Sequence, residues 1–219
     1  MIWAVVPAKL GKSAKERLAP VLDPDMRERL AQAMLHDVLA ALRGAPAVDR
    51  TLVISRDQRA LELARSSGAE PFREETRGGL NASVEAGLRH CAQQGATGVL
   101  IAMGDLPLLA PEDASETVTR LPDRGTVLVP SADGTGTNLV AARPADLFRP
   151  QFGPGSLALH LEQMKSGGID HLVCERAGAA LDIDTPADLE ALRTSAPAGT
   201  ASAALLLERT AARLTTAGA

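Results

Sequence analysis

The 219-residue chain has no tyrosine, one tryptophan and three phenylalanines. So few rings leave no platform on which nucleic-acid bases could stack. A net charge of −4 argues the same way, against a general binder of phosphate backbones. Two cysteines, Cys91 and Cys174, match no metal-ligand spacing and argue against a secreted disulfide framework. Both read as small core residues. No apolar run approaches the roughly 18 residues that mark a membrane span. The N-terminal stretch lacks the basic lead-in and long apolar core of a signal peptide. A cytoplasmic protein is expected, with neither membrane nor nucleic acid as partner.

Two familiar nucleotide signatures are also missing. There is no Gly-x-x-x-x-Gly-Lys loop, and no Gly-x-Gly-x-x-Gly follows a strand. The four histidines, His36, His90, His160 and His171, belong to no candidate motif and form no Ser-His or Cys-His pair. Chemistry without a general base points to a nucleophile that is already an anion, which needs cations and alignment.

What is present is an alternation of short apolar runs with amphipathic stretches, about every twenty residues, the pattern of a parallel α/β sheet. Strands are expected at 2–6, 51–55, 69–72, 99–103, 126–130, 138–142 and 169–174, with 180–183 extended. Helices are expected at 24–43, 57–67, from Asn81 as a cap to about Gly95, from Pro111, at 157–165 and from Pro186. Asp23-Pro24 reads as an N-cap with proline at the first helical position. A single domain over 1–194 follows, large enough to bury about 70% of its unfolded surface. Residues 195–219 form an Ala-rich tail that could make one helix over 201–214.

Several stretches could carry chemistry. The apolar run Val99–Met103 stops at Gly104-Asp105, and Pro107 blocks its continuation. Ligands of open α/β sheets bind beyond the carboxyl ends of such strands; alone, Asp105 could equally cap a turn. Asp182 and Asp184 stand two apart, on one face if the segment is extended, where a cation or donors must offset their repulsion. Hard oxygen donors without nearby His or Cys suit Mg²⁺ or Mn²⁺, although Asp184 could instead cap a helix. Two glycine-rich turns, Asp133–Asn138 and Phe152–Ser156, could turn backbone N–H groups and the Thr137 and Ser156 hydroxyls toward an anion. Lys9, Lys12, Lys15 and Arg17 follow the first strand, where phosphates meet such sheets, or are simply solvated.

Taken in order, Val6-Pro7-Ala8-Lys9, Ala14–Leu18, Gly79-Leu80-Asn81, Gly104–Leu109, Asp133–Asn138, Phe152–Ser156 and Asp182–Pro186 resemble a known group. It is the phosphoenolpyruvate / 2-phospho-L-lactate guanylyltransferase family of coenzyme F-420 biosynthesis, over about residues 2–193. The resemblance implies a Rossmann-like nucleotidyltransferase fold, α/β, with a mostly parallel mixed sheet and helices on both faces. It implies that Asp105, Asp182 and Asp184 hold two Mg²⁺ ions. Thr137, Gly153 and Ser156 would bind the phosphate of a small phosphorylated acid. Lys9, Lys15 and Arg17 would hold the phosphates of GTP, with Gly79, Leu80 and Asn81 near guanine. Asp105, Lys15 and Arg17 would be the catalytic group. The acceptor is phosphoenolpyruvate by preference, or 2-phospholactate or 3-phosphoglycerate, and a downstream transferase of the pathway is a candidate partner. A sugar-nucleotide or molybdenum-cofactor nucleotidyltransferase, or a non-catalytic metabolite sensor, remains the alternative.

Overall fold

The computed structural model describes residues 1–74 and 78–207. Seven strands, β1 Ile2–Pro7, β2 Arg50–Ser55, β3 Glu70–Arg73, β4 Gly98–Ala102, β5 Gly125–Pro130, β6 Thr137–Arg143 and β7 Asp170–Val173, form one sheet. Its order is β3-β2-β1-β4-β6-β5-β7. β6 runs antiparallel to both neighbours, while the other pairings are parallel. The helices are α1 Pro24–Gly44, α2 Gln58–Ser66, α3 Gly79–Gln93, α4 Pro111–Thr119, α5 Ser156–Ser166, α6 Ala177–Ala180 and α7 Pro186–Ser195. Among the described residues no helix is long and apolar enough to cross a membrane.

The apolar runs are buried because both sheet faces are covered. Ala4, Val6, Val53, Leu100 and Ala102 pack with Leu35 and Val38 of α1, Ala60 and Ala64 of α2, and Ala114 and Val118 of α4. Alternate residues Trp3, Val5, Leu52, Ile54, Val99 and Ile101 pack with Val84 and Leu88 of α3 and Met164 of α5. The two-residue strand period thus feeds both layers at once. On α1 the stripe Leu30, Met34, Val38 and Leu42 is buried, each side chain contributing ~1.5–3 kcal/mol. Asp23 accepts the Met26 N–H at 2.8 Å and Pro24 opens the helix, as its sequence predicts. Cys91 and Cys174 are buried free thiols.

Two local expectations are corrected. The extended stretch expected at 180–183 starts one residue later, at Leu181: Ala177–Ala180 is a turn of helix, closed by Asn138 Nδ2 donating to the Ala179 and Ala180 carbonyls, both at 3.0 Å. Gly178 there approaches the segment leading into α4 so closely that a Cβ would stand 2.5 Å from the Leu108 carbonyl. Asn81 does not cap α3, which starts two residues earlier; its amide pairs instead with the Phe152 backbone, donating at 3.1 Å and accepting at 2.7 Å. The start of the tail packs on the domain. Asp37 of α1 accepts from Ala201 N, Ser202 N and Ser202 Oγ at 2.7, 2.9 and 2.6 Å. Residues 201–207 are helical, and Leu205 and Leu206 join a core cluster with Leu30 and Met34. Arg77, which precedes the Gly78-Gly79 turn, and tail residues 208–219 lie outside the described residues.

Candidate active site

The sheet order places β1 beside β4, with β2 beyond one and β6 beyond the other. Loops leaving their carboxyl ends diverge there and open a crevice. Gly104 keeps the two loops close, since a Cβ on it would stand 3.1 Å from the Pro7 carbonyl. Asp105 follows, and its carbonyl accepts the Ile183 N–H at 3.3 Å. That bond draws Asp182 and Asp184 alongside Asp105, although some eighty residues of chain intervene.

Lys15 stands among them. Its side chain is 10% exposed, and its ammonium donates to Asp105 and, at 2.8 Å, to Asp184. Burial alone would lower the Lys15 pKa; the charges of Asp105 and Asp184 outweigh it and hold the pKa above its ordinary value. Lys15 therefore stays charged. Lys15 has φ +52°, a left-handed conformation costing on the order of 1 kcal/mol, which the two ion pairs offset. Arg17 stands 3.7 Å from the other oxygen of Asp184, largely in solvent. Asp182 accepts from Asn138 at 3.3 Å. Burial first, and then the charge of Asp105, push the Asp182 pKa up. One ammonium for three carboxylates leaves the cluster short of positive charge.

Asp184 does not cap the helix that follows it. The α7 capping box is made by Thr185 and Asp188, which leaves the Asp184 carboxylate to Lys15. Among the described residues no group of three or more His, Cys, Asp or Glu is gathered into a metal cage. Asp105 and Asp184 share Lys15, and Asp184 also faces Arg17, so among the described residues Asp182 is the carboxylate of the three left without an ion pair. Hard oxygen donors of this kind fit Mg²⁺.

A cavity of about 240 Å³ lies against the cluster, lined by Lys9, Lys15, Leu80, Gly104, Asp105 and Asp184. A larger one of about 660 Å³ shares Lys9, Ser13 and Leu80 with it and extends to Ser55, Glu74 and Gly79. Volumes of a few hundred Å³ suit a nucleotide. Glu74 is held at the far wall by its N–H to the Ser55 carbonyl at 3.1 Å and by the Ser83 hydroxyl at 2.6 Å. Lys9, Gly79 and Leu80 thus line the cleft, Asn81 does not, and Lys12 is an exposed partner of Asp25 at 3.7 Å.

The two glycine-rich turns meet on the other side of β6. Leu157 N donates to the Thr135 carbonyl at 3.1 Å, and Ser156 Oγ stands 3.5 Å from Thr137 Oγ1 at the start of α5. Gly153 and Gly155 take φ of +132° and +71°, conformations that let the backbone fold into the helix start. Asp133 is spent within its own turn on Ser131 and Thr135, which hold its pKa down to about 2. Thr137 and Asn138 are neighbours on β6, so one strand reaches both the hydroxyl pair and Asp182.

His160 was not among the residues singled out by sequence. Its ring is fully buried, with Nδ1 3.0 Å from Thr137 Oγ1. The available signal was its spacing from Ser156, four residues on and hence on one helix face.

The chain is similar to known proteins over most of its length. The family model for guanylyl transferases, CofC like, matches residues 2–202. A phosphoenolpyruvate guanylyltransferase from Sphaerobacter thermophilus is 40% identical over 91% of this chain and 96% of its own. A 3-phospho-D-glycerate guanylyltransferase from Phenylobacterium zucineum is 36% identical over 86% of this chain and 88% of its own. In structure, a nucleotidyl transferase from Methanothermobacter superposes with a TM-score of 0.70 at 23% identity, covering 89% of this chain and 96% of that one. That likeness extends to the Rossmann-like fold alone. With the match running from β1 through α7, the chain belongs to the CofC-like guanylyl transferase family.

Proposed function

We propose that the protein transfers GMP from GTP to the phosphate of a small phosphorylated acid, phosphoenolpyruvate by preference, releasing pyrophosphate, as a step in coenzyme F-420 biosynthesis in the cytoplasm. The observation that carries this reading is the Asp105–Lys15–Asp184 cluster, with Asp182 beside it, between a nucleotide-sized cleft and a buried pair of hydroxyls.

In this reading the nucleotide lies along the cleft from Glu74 to Lys15. The Glu74 carboxylate, beside Gly79 and Leu80, offers acceptors suited to the N1–H and N2–H donors of guanine. Lys9 and Lys15 face the phosphates, and Arg17 stands at the mouth to draw charge from the leaving pyrophosphate. Thr137, Ser156 and the backbone at Gly153 receive the acceptor's phosphate. That phosphate is already an anion, so no side chain has to remove a proton, consistent with the absence of a Ser-His or Cys-His hydrogen bond among the described residues. What the protein supplies is alignment and charge. Asp105 and Asp182 would hold Mg²⁺, or Mn²⁺, with Asp184 joining them when Lys15 turns to a phosphate. The metal's chemistry there is to neutralise phosphate charge and polarise the reacting phosphoryl group. The product is a phosphoanhydride that a downstream transferase would consume.

Purified protein given GTP, Mg²⁺ and phosphoenolpyruvate, 2-phospholactate and 3-phosphoglycerate in competition tests this by mass spectrometry. The expected product is the guanylylated phosphoenolpyruvate with equimolar pyrophosphate. Absence of pyrophosphate release with every acid overturns the reading.

A further inference from the structure

His160 is more tightly constrained than any other histidine of the chain. Its ring is wedged against Phe148 and Phe152, with centroids 4.8 and 5.0 Å away. Both ring nitrogens are engaged. Gln151 N is 3.1 Å from Nε2, and Thr137 Oγ1 is 3.0 Å from Nδ1. A backbone N–H can only donate, so Nε2 must present its lone pair. A neutral imidazole then carries its hydrogen on Nδ1 and donates to Thr137. Burial pushes the ring pKa down to about 4, which keeps it neutral near pH 7.

The consequence falls on Thr137. With its oxygen accepting from Nδ1, and Ser156 Oγ also placed to donate toward it from 3.5 Å, its own hydrogen must be directed elsewhere. We propose that His160 is a positioning residue of the acceptor site: through Nδ1–H it fixes the Thr137 hydroxyl as a donor aimed at the phosphate of the acceptor acid. This rests on the acceptor reading above. The main chain at Gln151, next to the Phe152-Gly153 turn, thereby sets the direction of a hydroxyl on β6. Asn81, clamping Phe152 from α3, holds the same turn. An isolated threonine would rotate between donor and acceptor roles; this one is committed before the phosphate arrives, so less ordering is needed on binding.

Two measurements decide it. Long-range ¹⁵N–¹H correlation on the wild-type protein, with His160 assigned by its loss in His160→Asn, should show the neutral Nδ1–H tautomer; the Nε2–H tautomer overturns the proposal. Kinetics with GTP and phosphoenolpyruvate form the second. His160→Phe keeps the ring stack and removes both nitrogens; it should raise the KM for phosphoenolpyruvate about tenfold, the scale of one lost hydrogen bond to a charged group. The KM for GTP should stay within about twofold. His160→Asn, which returns an N–H near the Nδ1 position, should recover most of the loss. An unchanged phosphoenolpyruvate KM in His160→Phe, or equal rises for both substrates, overturns the proposal. Wild-type protein inactive with every acid overturns the acceptor reading and this inference with it; an active wild type with an indifferent His160→Phe overturns the inference alone.

Discussion

Acidification should destabilise this protein through His160, by an amount the structure lets one work out. The folded ring has a pKa of about 4 against an ordinary 6.5, because burial disfavours the imidazolium. Protonation would also turn Nε2 from acceptor to donor, facing the Gln151 N–H at 3.1 Å. The folded pKa is depressed, so between the two values the unfolded chain binds more protons, and stability rises with pH. Stability from this group is complete well above pH 6.5 and falls as pH drops from there toward 4. Moving from pH 8 to pH 5 changes the folding equilibrium about thirtyfold at this group, or about 2 kcal/mol. Urea unfolding of wild type and His160→Asn at both values isolates the effect, since the other titrating groups are common to both and cancel. Wild type should lose about 2 kcal/mol more than the variant. Equal losses in the two proteins would refute the argument that the ring is held neutral by its surroundings.

The remaining predictions concern the acidic cluster, the cleft and the tail. Asp105→Asn should cut pyrophosphate release by about 100-fold or more, with little change in melting temperature; near-normal turnover would dismiss Asp105 from the chemistry. Lys15→Met leaves Asp105 and Asp184 without their shared ammonium, which should cost about 1–3 kcal/mol, discounted for the partial exposure of Asp184. Added Mg²⁺ should raise the melting temperature of Lys15→Met more than that of wild type, because the missing charge is then replaced. Glu74→Gln should raise the KM for GTP about tenfold and narrow the preference for GTP over ATP, read from initial rates with each nucleotide. Asp37→Ala, which removes the acceptor of three bonds from Ala201 and Ser202, should destabilise by about 2–4 kcal/mol in urea while leaving kcat unchanged.

The features legible in the sequence are those decided within a few residues. The Asp23-Pro24 cap, the stripe of Leu30, Met34, Val38 and Leu42, and the arrest of an apolar strand at Gly104-Asp105 follow from helix and strand periods and from backbone chemistry. They were enough to predict the α/β fold and to gather the order of motifs that marks the family. Local pattern misled where a distant partner competed. Asn81 has the side chain of a cap but spends it on Phe152, and Ala180 closes the helical turn 177–180, whose last carbonyls Asn138 holds. The aspartates announced themselves as residue types, but not what they face. Lys15 lies 90 residues from Asp105 and 169 from Asp184, and only the parallel pairing of β1 with β4 brings the ammonium between them. His160 had no motif at all, since its meaning depends on a backbone N–H on one side and a hydroxyl from another strand on the other. Caps, stripes and strand ends were written into the sequence because their energetics are settled among near neighbours. The charge balance of the cluster and the direction of the Thr137 hydroxyl were decided by the tertiary structure, because each depends on groups that only the folded sheet brings within hydrogen-bond reach.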